Sequence, residues 1–307
     1  MQTTIRSAVT FTGRGLHSGA RVRMTVHPAS AEYGIWFRRT DVIGRDALVQ
    51  AHWSSVENAK LCTEISNAQG VKVSTIEHLM AALAGCGIHN ALIEIDAAEV
   101  PILDGSSAPF AAAFLARGVR ELDADLRCIE VLKPVEVREG TAAARLEPAE
   151  TLIIDFEIEF PDAAIGYQHA VLTMANGAFL RELSNCRTFC RQSDVEAMQK
   201  AGLALGGNPG ENAVVFDGDR VLSPGGLRRA DEPVRHKMLD ALGDLALAGA
   251  PILGRYTGTR AGHAMTNRLL RALFADPTAY RVVTCDASRR RLLPGTAIKP
   301  SDIPAVA

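Results

Sequence analysis

No stretch of the 307-residue chain approaches the roughly 18–20 consecutive apolar residues that a membrane-spanning helix needs. The opening, MQTTIRSAVTFTG, lacks the charged-then-apolar design of a secretory leader. Lysine and arginine number 33 against 35 aspartates and glutamates, a formal net charge of −2, which argues against a broad nucleic-acid footprint. No basic, acidic or low-complexity block stands out. The six cysteines, Cys62, Cys86, Cys128, Cys186, Cys190 and Cys285, form no CxxC pair and no disulfide-framework spacing. Reduced cytosolic thiols are the natural reading. Neither GxxxxGK[ST] nor GxGxxG occurs, so LALGGN does not match a phosphate loop. These absences together predict a cytoplasmic protein with no transmembrane segment and no nucleic-acid partner.

What remains is an ordinary globular composition, 47% hydrophobic and 22% charged, with material for sizeable cores. The length favours two domains. Alternating segments at Ser7 to Thr12, Arg21 to His27 and Gly34 to Arg38 read as strands around the turn-rich GRGLHSG. After a looser stretch to about Gln69, VKVSTIEHLMAALAGCG reads as a short strand, a Ser/Thr helix start and a helix stopped by Gly85 and Gly87. ALIEIDAAE is a strand, and Pro109 opens a second helix after the loop LDGSSAPF. The second half repeats this plan. CIEVLKPVEVREG, TAAARLEPAE and TLIIDFEIEF read as strands, and LEPA echoes VHPA at a strand end. EHLMAALAG and RHKMLDALGDLALAG both read as a histidine at a helix start, an apolar helix and a glycine stop; His78 and His236 stand 158 positions apart. The expected fold class is α+β: two duplicated sandwich domains, each a sheet plus two helices, at 1–127 and 128–307. The segment from about Arg191 to Val221 has no counterpart in the first half and reads as a βα-type insert, a reasonable place for a substrate-binding element.

His236 and Asp240 are the most informative pair. Residues four apart on a helix share one face, so an imidazole nitrogen and a carboxylate oxygen can close on one divalent metal. Glu77-His78 offers a third ligand, and two histidines with one carboxylate leave a position open on zinc, the pattern of a hydrolytic site. The pair serves equally well as a cap and salt bridge of its own helix. Glu77, beside His78, fits a base that takes a proton from water, and fits equally a carboxylate complementing a helix N-terminus. His263 is a candidate acid or oxyanion stabiliser, or a surface histidine. Asp244, one further turn beyond Asp240, could orient an imidazole. Lys237 is a phosphate or oxyanion contact, or a solvated lysine. LDGSSAPF is fully explained as a turn into a helix, and the loop around His17 is a hairpin turn or a ligand contact.

GRGLHSG, CTEI, STIEHLMAALAGCGIHNALIEID, EVPILDGSSAPF, CRTF, LALGGNPGENAVV, VRHKMLDALGDL and AGHAMTNRLL occur in this order. From about Arg6 to Phe274 the chain thereby resembles the zinc-dependent UDP-3-O-acyl-N-acetylglucosamine deacetylases of Gram-negative bacteria. The resemblance implies two duplicated α+β domains and removal of acetate from the sugar nitrogen of UDP-3-O-(3-hydroxyacyl)-GlcNAc, the committed step of lipid A synthesis. It implies Zn2+ on His78, His236 and Asp240, Glu77 as general base, and His263 as acid or electrostatic partner oriented by Asp244. Thr188 of CRTF would bond the oxyanion, with Lys237 nearby. Phe189, Leu203, Leu205, Val214 and Val215 would line a hydrophobic passage for the acyl chain. Some family positions differ here: Cys190 and Arg191 follow CRTF, Asn208 follows Gly206-Gly207, Glu211 precedes Asn212, and Ala142 stands where some members carry a phosphate-contacting lysine. The last shifts the expected UDP contacts toward Arg260 or His17. A zinc amidohydrolase of another N-acetylated nucleotide sugar, and a catalytically idle UDP-sugar binder, are the competing functions. No coiled-coil pattern marks an oligomer interface, so a monomer is expected.

Overall fold

Period-two burial builds the sheets. In β3 (Arg21–Pro28) Val22, Met24 and Val26 are buried while Arg21 and Arg23 face solvent, as the alternation of a half-buried strand requires. Around it, in chain order, lie β1 (Thr3–Ile5), β2 (Val9–Arg14), β4 (Ile35–Arg39), β5 (Leu48–Gln50), β6 (Val56–Asn58), β7 (Glu64–Ser66), β8 (Lys72–Val73), helix α1 (Glu77–Gly85), β9 (Ala91–Ile95), α2 (Ala108–Arg117) and β10 (Val119–Glu121). The second half comprises β11 (Arg127–Val131), β12 (Val135–Glu139), β13 (Ala142–Glu147), β14 (Leu152–Glu159), β15 (Tyr167–Thr173), β16 (Phe189–Arg191), α3 (Gln192–Lys200), β17 (Val214–Asp217), β18 (Arg220–Val221), α4 (Glu232–Ala246), β19 (Ile252–Thr259), α5 (His263–Ala275), β20 (Tyr280–Thr284) and the short α6 (Ala287–Arg290). This computed structural model describes residues 1–305, so the last two residues of the expected second domain lie outside the described residues.

The two halves share one topology. The first sheet runs β2-β3-β9-β4-β5, with β4 parallel to β9 and the other neighbours antiparallel. The second repeats it as β12-β13-β19-β14-β15, again with one parallel pair, β14 and β19. The antiparallel pair β1 and β10 of the first half is matched by β11 and β20, which extend the second sheet. Helix α1 corresponds to α4 and α2 to α5 in chain order. An α+β chain with a repeated plan is therefore what the duplicated motifs foretold.

Helix α1 is buried along its whole length except Ala84, so it has no solvent face and must lie within a core. It packs against α4, and one continuous core runs from Met24 and Ile93 of the first sheet through Leu79 and Leu239 of these helices to Ile154 of the second. Gly243 is what lets them cross closely. A Cβ there would stand 2.1 Å from the carbonyl oxygen of Glu77.

Three expectations need correction. His236 does not stand at a helix start: α4 begins at Glu232, with Pro233 in its first turn, so His236 lies a full turn in. Proline at that position suits a helix start because its missing N–H would be unpaired anyway. The insert of the second half also has a counterpart. Strands β6, β7 and β8 form a three-stranded sheet ahead of α1, where β16, β17 and β18 form one ahead of α4. Within the second-half insert, parallel β16 and β17 are joined through α3, in keeping with its expected βα character. The strand expected to begin at Ser7 is β2, which begins at Val9.

Candidate metal centre and its surroundings

His78, His236 and Asp240 are brought together at the crossing of α1 and α4. Asp240 Oδ1 lies 3.3 Å from His236 Nε2 and 3.5 Å from His78 Nε2. One ligand atom from each of the three residues can be chosen so that all lie within 4.8 Å of one another. Ligand atoms held roughly 2.0–2.2 Å from a tetrahedral zinc stand about 3.3–3.6 Å apart, so the spacing suits such an ion. The rings of His78 and His236 meet edge to face, with centroids 5.0 Å apart. Asp240 Oδ1 is buried and has no hydrogen-bond partner among the described residues. A buried ionised oxygen left unpaired costs free energy that a cation between the two imidazoles would recover.

The protonation states favour the same use. Burial pushes His236 down to about 3, leaving a neutral ring, and its Nδ1 lies 3.0 Å from the Cys186 carbonyl oxygen. Donation of Nδ1–H to that carbonyl leaves the Nε2 lone pair facing Asp240. Burial alone would raise Asp240, but the Lys237 ammonium, bonded to Oδ2 at 2.9 Å, helps hold it well below the usual carboxylate range. Lys237 in turn is held above its ordinary value by Asp240 against the opposing effect of burial. Its ammonium stands 5.7 Å from the Phe189 ring centroid.

A second group of side chains flanks this trio. Burial pushes Glu77 up, against the pull of His263 and His78. Its Oε1 lies 3.8 Å from His263 Nε2. Burial would lower His263, but Asp244 and Glu77 outweigh it and raise the ring to about 9. His263 Nδ1 stands 2.8 Å from Asp244 Oδ2. Thr63, absent from the sequence-based set, donates its backbone N–H to Glu77 Oε2 at 3.0 Å and its hydroxyl to Asp244 Oδ1 at 2.6 Å. Its only signal in the sequence was its place within CTEI.

The remaining expected residues fall in three places. Thr188 directly precedes β16, between Cys186, whose carbonyl meets His236, and Phe189, whose ring centroid is 6.2 Å from that of His236. Phe189 also packs edge-on against Phe160 and Phe216. In the insert, Val214 and Val215 are buried on β17, Leu203 is half-buried and Leu205 is exposed. The loop holding His17 docks on the insert: Leu205 N–H donates to the His17 carbonyl and Gly206 N–H to that of Leu16. Gly206 is required, because a Cβ would meet the Gly15 oxygen at 2.1 Å. Glu99 anchors the other side of the loop by accepting from the backbone N–H groups of His17 and Ser18. Both His17 ring nitrogens are buried without a partner among the described residues. Arg260 sits apart, at the end of β19, paired with the exposed Glu159. Among the departures from the family pattern, Arg191 pairs with Asp162 and burial pushes the Cys190 thiol up to about 11. Asn208 donates its backbone N–H to the Asn212 side chain, and Glu211 is exposed. Ala142 pairs with Glu139 at the end of β13.

Three protein donors leave room for a reactant, which sets the donor chemistry with metal-dependent hydrolases rather than with closed structural metal sites. Comparison with known proteins makes the assignment specific: the chain belongs to the UDP-3-O-acyl N-acetylglycosamine deacetylase family, whose model matches residues 2–275. It is 51% identical over 283 residues to the UDP-3-O-acyl-N-acetylglucosamine deacetylase of Phenylobacterium zucineum (strain HLK1), covering 92% of this chain and 96% of that one. The proteins of the same name from Shewanella frigidimarina (strain NCIMB 400) and Shewanella sp. (strain W3-18-1) are 43% and 44% identical, with at least 92% of each chain covered. No helix among the described residues is long and apolar enough to cross a membrane.

Proposed function

We propose that this chain is a zinc-dependent amidohydrolase that removes the N-acetyl group of UDP-3-O-(3-hydroxyacyl)-N-acetylglucosamine, the committed step of lipid A synthesis. The observation that carries this reading is the orphaned Asp240 Oδ1 between two imidazole Nε2 atoms, with Glu77 adjacent. His78, His236 and Asp240 would hold the ion. When bound, zinc supplies Lewis-acid chemistry, polarising an amide carbonyl and lowering the pKa of water toward roughly 7.

The chain's own residues supply the rest. Glu77, raised by burial, is a base able to take and keep the proton of the attacking water. His263, kept cationic by Asp244 and Glu77, places positive charge beside the reacting carbonyl. Thr188 is the hydroxyl that would donate to the oxyanion, and Lys237 adds charge through Asp240. Water oxygen bonds to the acetyl carbon, the C–N bond breaks, and the nitrogen leaves as the amine with a proton from Glu77 or His263; acetate is the other product. Phe189, Leu203, Leu205, Val214 and Val215 would receive the acyl chain along the insert, while His17 and Arg260 would meet the nucleotide sugar. We assign 1–127 and 128–307 as the two domains. A monomer is the fitting form, since both halves of the site come from one chain, and the absence of a membrane-spanning helix among the described residues is consistent with a cytoplasmic enzyme.

Acetate release from the acylated UDP-GlcNAc and from the non-acylated sugar, each with and without chelator, tests the reading. Chelator-sensitive release confined to the acylated substrate is expected. Release at full rate under chelation, or turnover of another N-acetylated nucleotide sugar in preference, would overturn it. Tight binding of UDP-sugars without turnover would point instead to an idle binder.

A further inference from the structure

We propose that Thr63 is a positioning residue for this reaction, aligning the Glu77 and Asp244 carboxylates through a single side chain and its own backbone N–H; the inference rests on the deacetylase reading above. Thr63 is 2% exposed and lies between β6 and β7, in the small sheet that precedes α1. It binds one oxygen of each carboxylate. Its N–H takes Glu77 Oε2 at 3.0 Å, and its hydroxyl takes Asp244 Oδ1 at 2.6 Å, reaching a residue 181 positions away.

The oxygens left over are the ones that face His263. Glu77 Oε1 lies 3.8 Å from His263 Nε2, and Asp244 Oδ2 lies 2.8 Å from His263 Nδ1. A terminal carboxylate torsion is broad and roughly two-fold when free, so each group would otherwise swing. An ionised carboxylate only accepts, so the short Thr63–Asp244 contact commits the hydroxyl proton to Asp244. That bond fixes the Asp244 plane, and Asp244 in turn holds the proton on His263 Nδ1. The small sheet of the first half thereby sets a side chain of α5 in the second. The same segment touches α5 directly, through Ala264 N–H to the Ala59 carbonyl.

The test compares Thr63→Val, which removes the hydroxyl but keeps the shape and the N–H, with Thr63→Ser, which restores the hydroxyl. Partners of this kind typically carry about 10–100-fold in activity. Thr63→Val is expected to lose about that much kcat with KM and metal content unchanged, and Thr63→Ser to recover most of it. Nitrogen-15 histidine spectra should show the His263 Nδ1–H signal in wild type and Thr63→Ser, shifted or broadened in Thr63→Val. Full kcat in Thr63→Val, or a Thr63→Ser variant as poor as Thr63→Val while folded, would overturn the proposal. The spectra are read without substrate. A wild type that fails to release acetate therefore removes the deacetylase reading alone, and an unmoved His263 signal removes the positioning role alone.

Discussion

Replacing Gly243 by alanine tests whether the close crossing of α1 and α4 builds the site. In an exposed helix, glycine to alanine gains roughly 1 kcal/mol of helix propensity. Here the added Cβ would stand 2.1 Å from the Glu77 carbonyl oxygen and 2.9 Å from its carbon. The obstacle is backbone, which cannot swing aside as a side-chain tip can. Ordinary contact begins at 3.4 Å, so the helices must separate by about 1.3 Å. Overpacking of this kind typically costs about 1–3 kcal/mol, enough to cancel the propensity gain and leave a net loss on the order of 1 kcal/mol. Catalysis should suffer far more. The shift moves Glu77 and His78 on α1 relative to Asp240 and Asp244 on α4, and a misplacement of about 1 Å can cost on the order of 10²-fold. Urea midpoints give the stability change, and acetate release from the acylated UDP-GlcNAc gives the rate. A Gly243→Ala protein with wild-type midpoint and wild-type rate would refute the reasoning.

Two pH dependences follow from the histidines His263 and His89. His263, raised to about 9, is cationic at neutral pH, so kcat should fall as pH rises through its pKa. Asp244→Asn removes the chief raising charge and should move that alkaline limb to lower pH; a limb that stays in place contradicts the pairing. His89 behaves oppositely. Burial pushes it down to about 4, and its Nδ1 accepts the Thr3 N–H at 3.2 Å, which only the neutral ring can do. Its contribution to stability is present above 6.5 and is lost as pH falls from there through about 4. A shift of that size is worth roughly 3 kcal/mol when buried, scaled to about 2 for a half-buried ring. His89→Gln should flatten the urea midpoint between pH 7 and pH 4, and a difference from wild type that is constant with pH would refute it.

The cluster of His78, His236 and Asp240 was legible because its spacing is local. His236 and Asp240 are one helical turn apart, and the matching glycine-stopped helix pointed to His78. The paired sheets were legible only as strands, since which strand lies beside which is decided by contacts far apart in sequence. The small sheet of the first half escaped because β6, β7 and β8 are only two or three residues long, too short for alternation to show. The start of α4 was misplaced because the histidine resemblance outweighed the Glu232-Pro233 start signal. Thr63 was missed because its partners lie 14 and 181 residues away, a separation no periodic pattern reports. The carbonyl of Cys186 that orients His236 is a backbone atom, and no residue type encodes it.

The most direct measurement takes metal content and acetate release on the same samples of wild type, His236→Ala and Glu77→Gln. One zinc per chain with turnover is expected for wild type, neither for His236→Ala, and full zinc with turnover reduced about 10²–10⁴-fold for Glu77→Gln. Full zinc retention or undiminished turnover in His236→Ala would contradict a catalytic metal held at the crossing of the two helices.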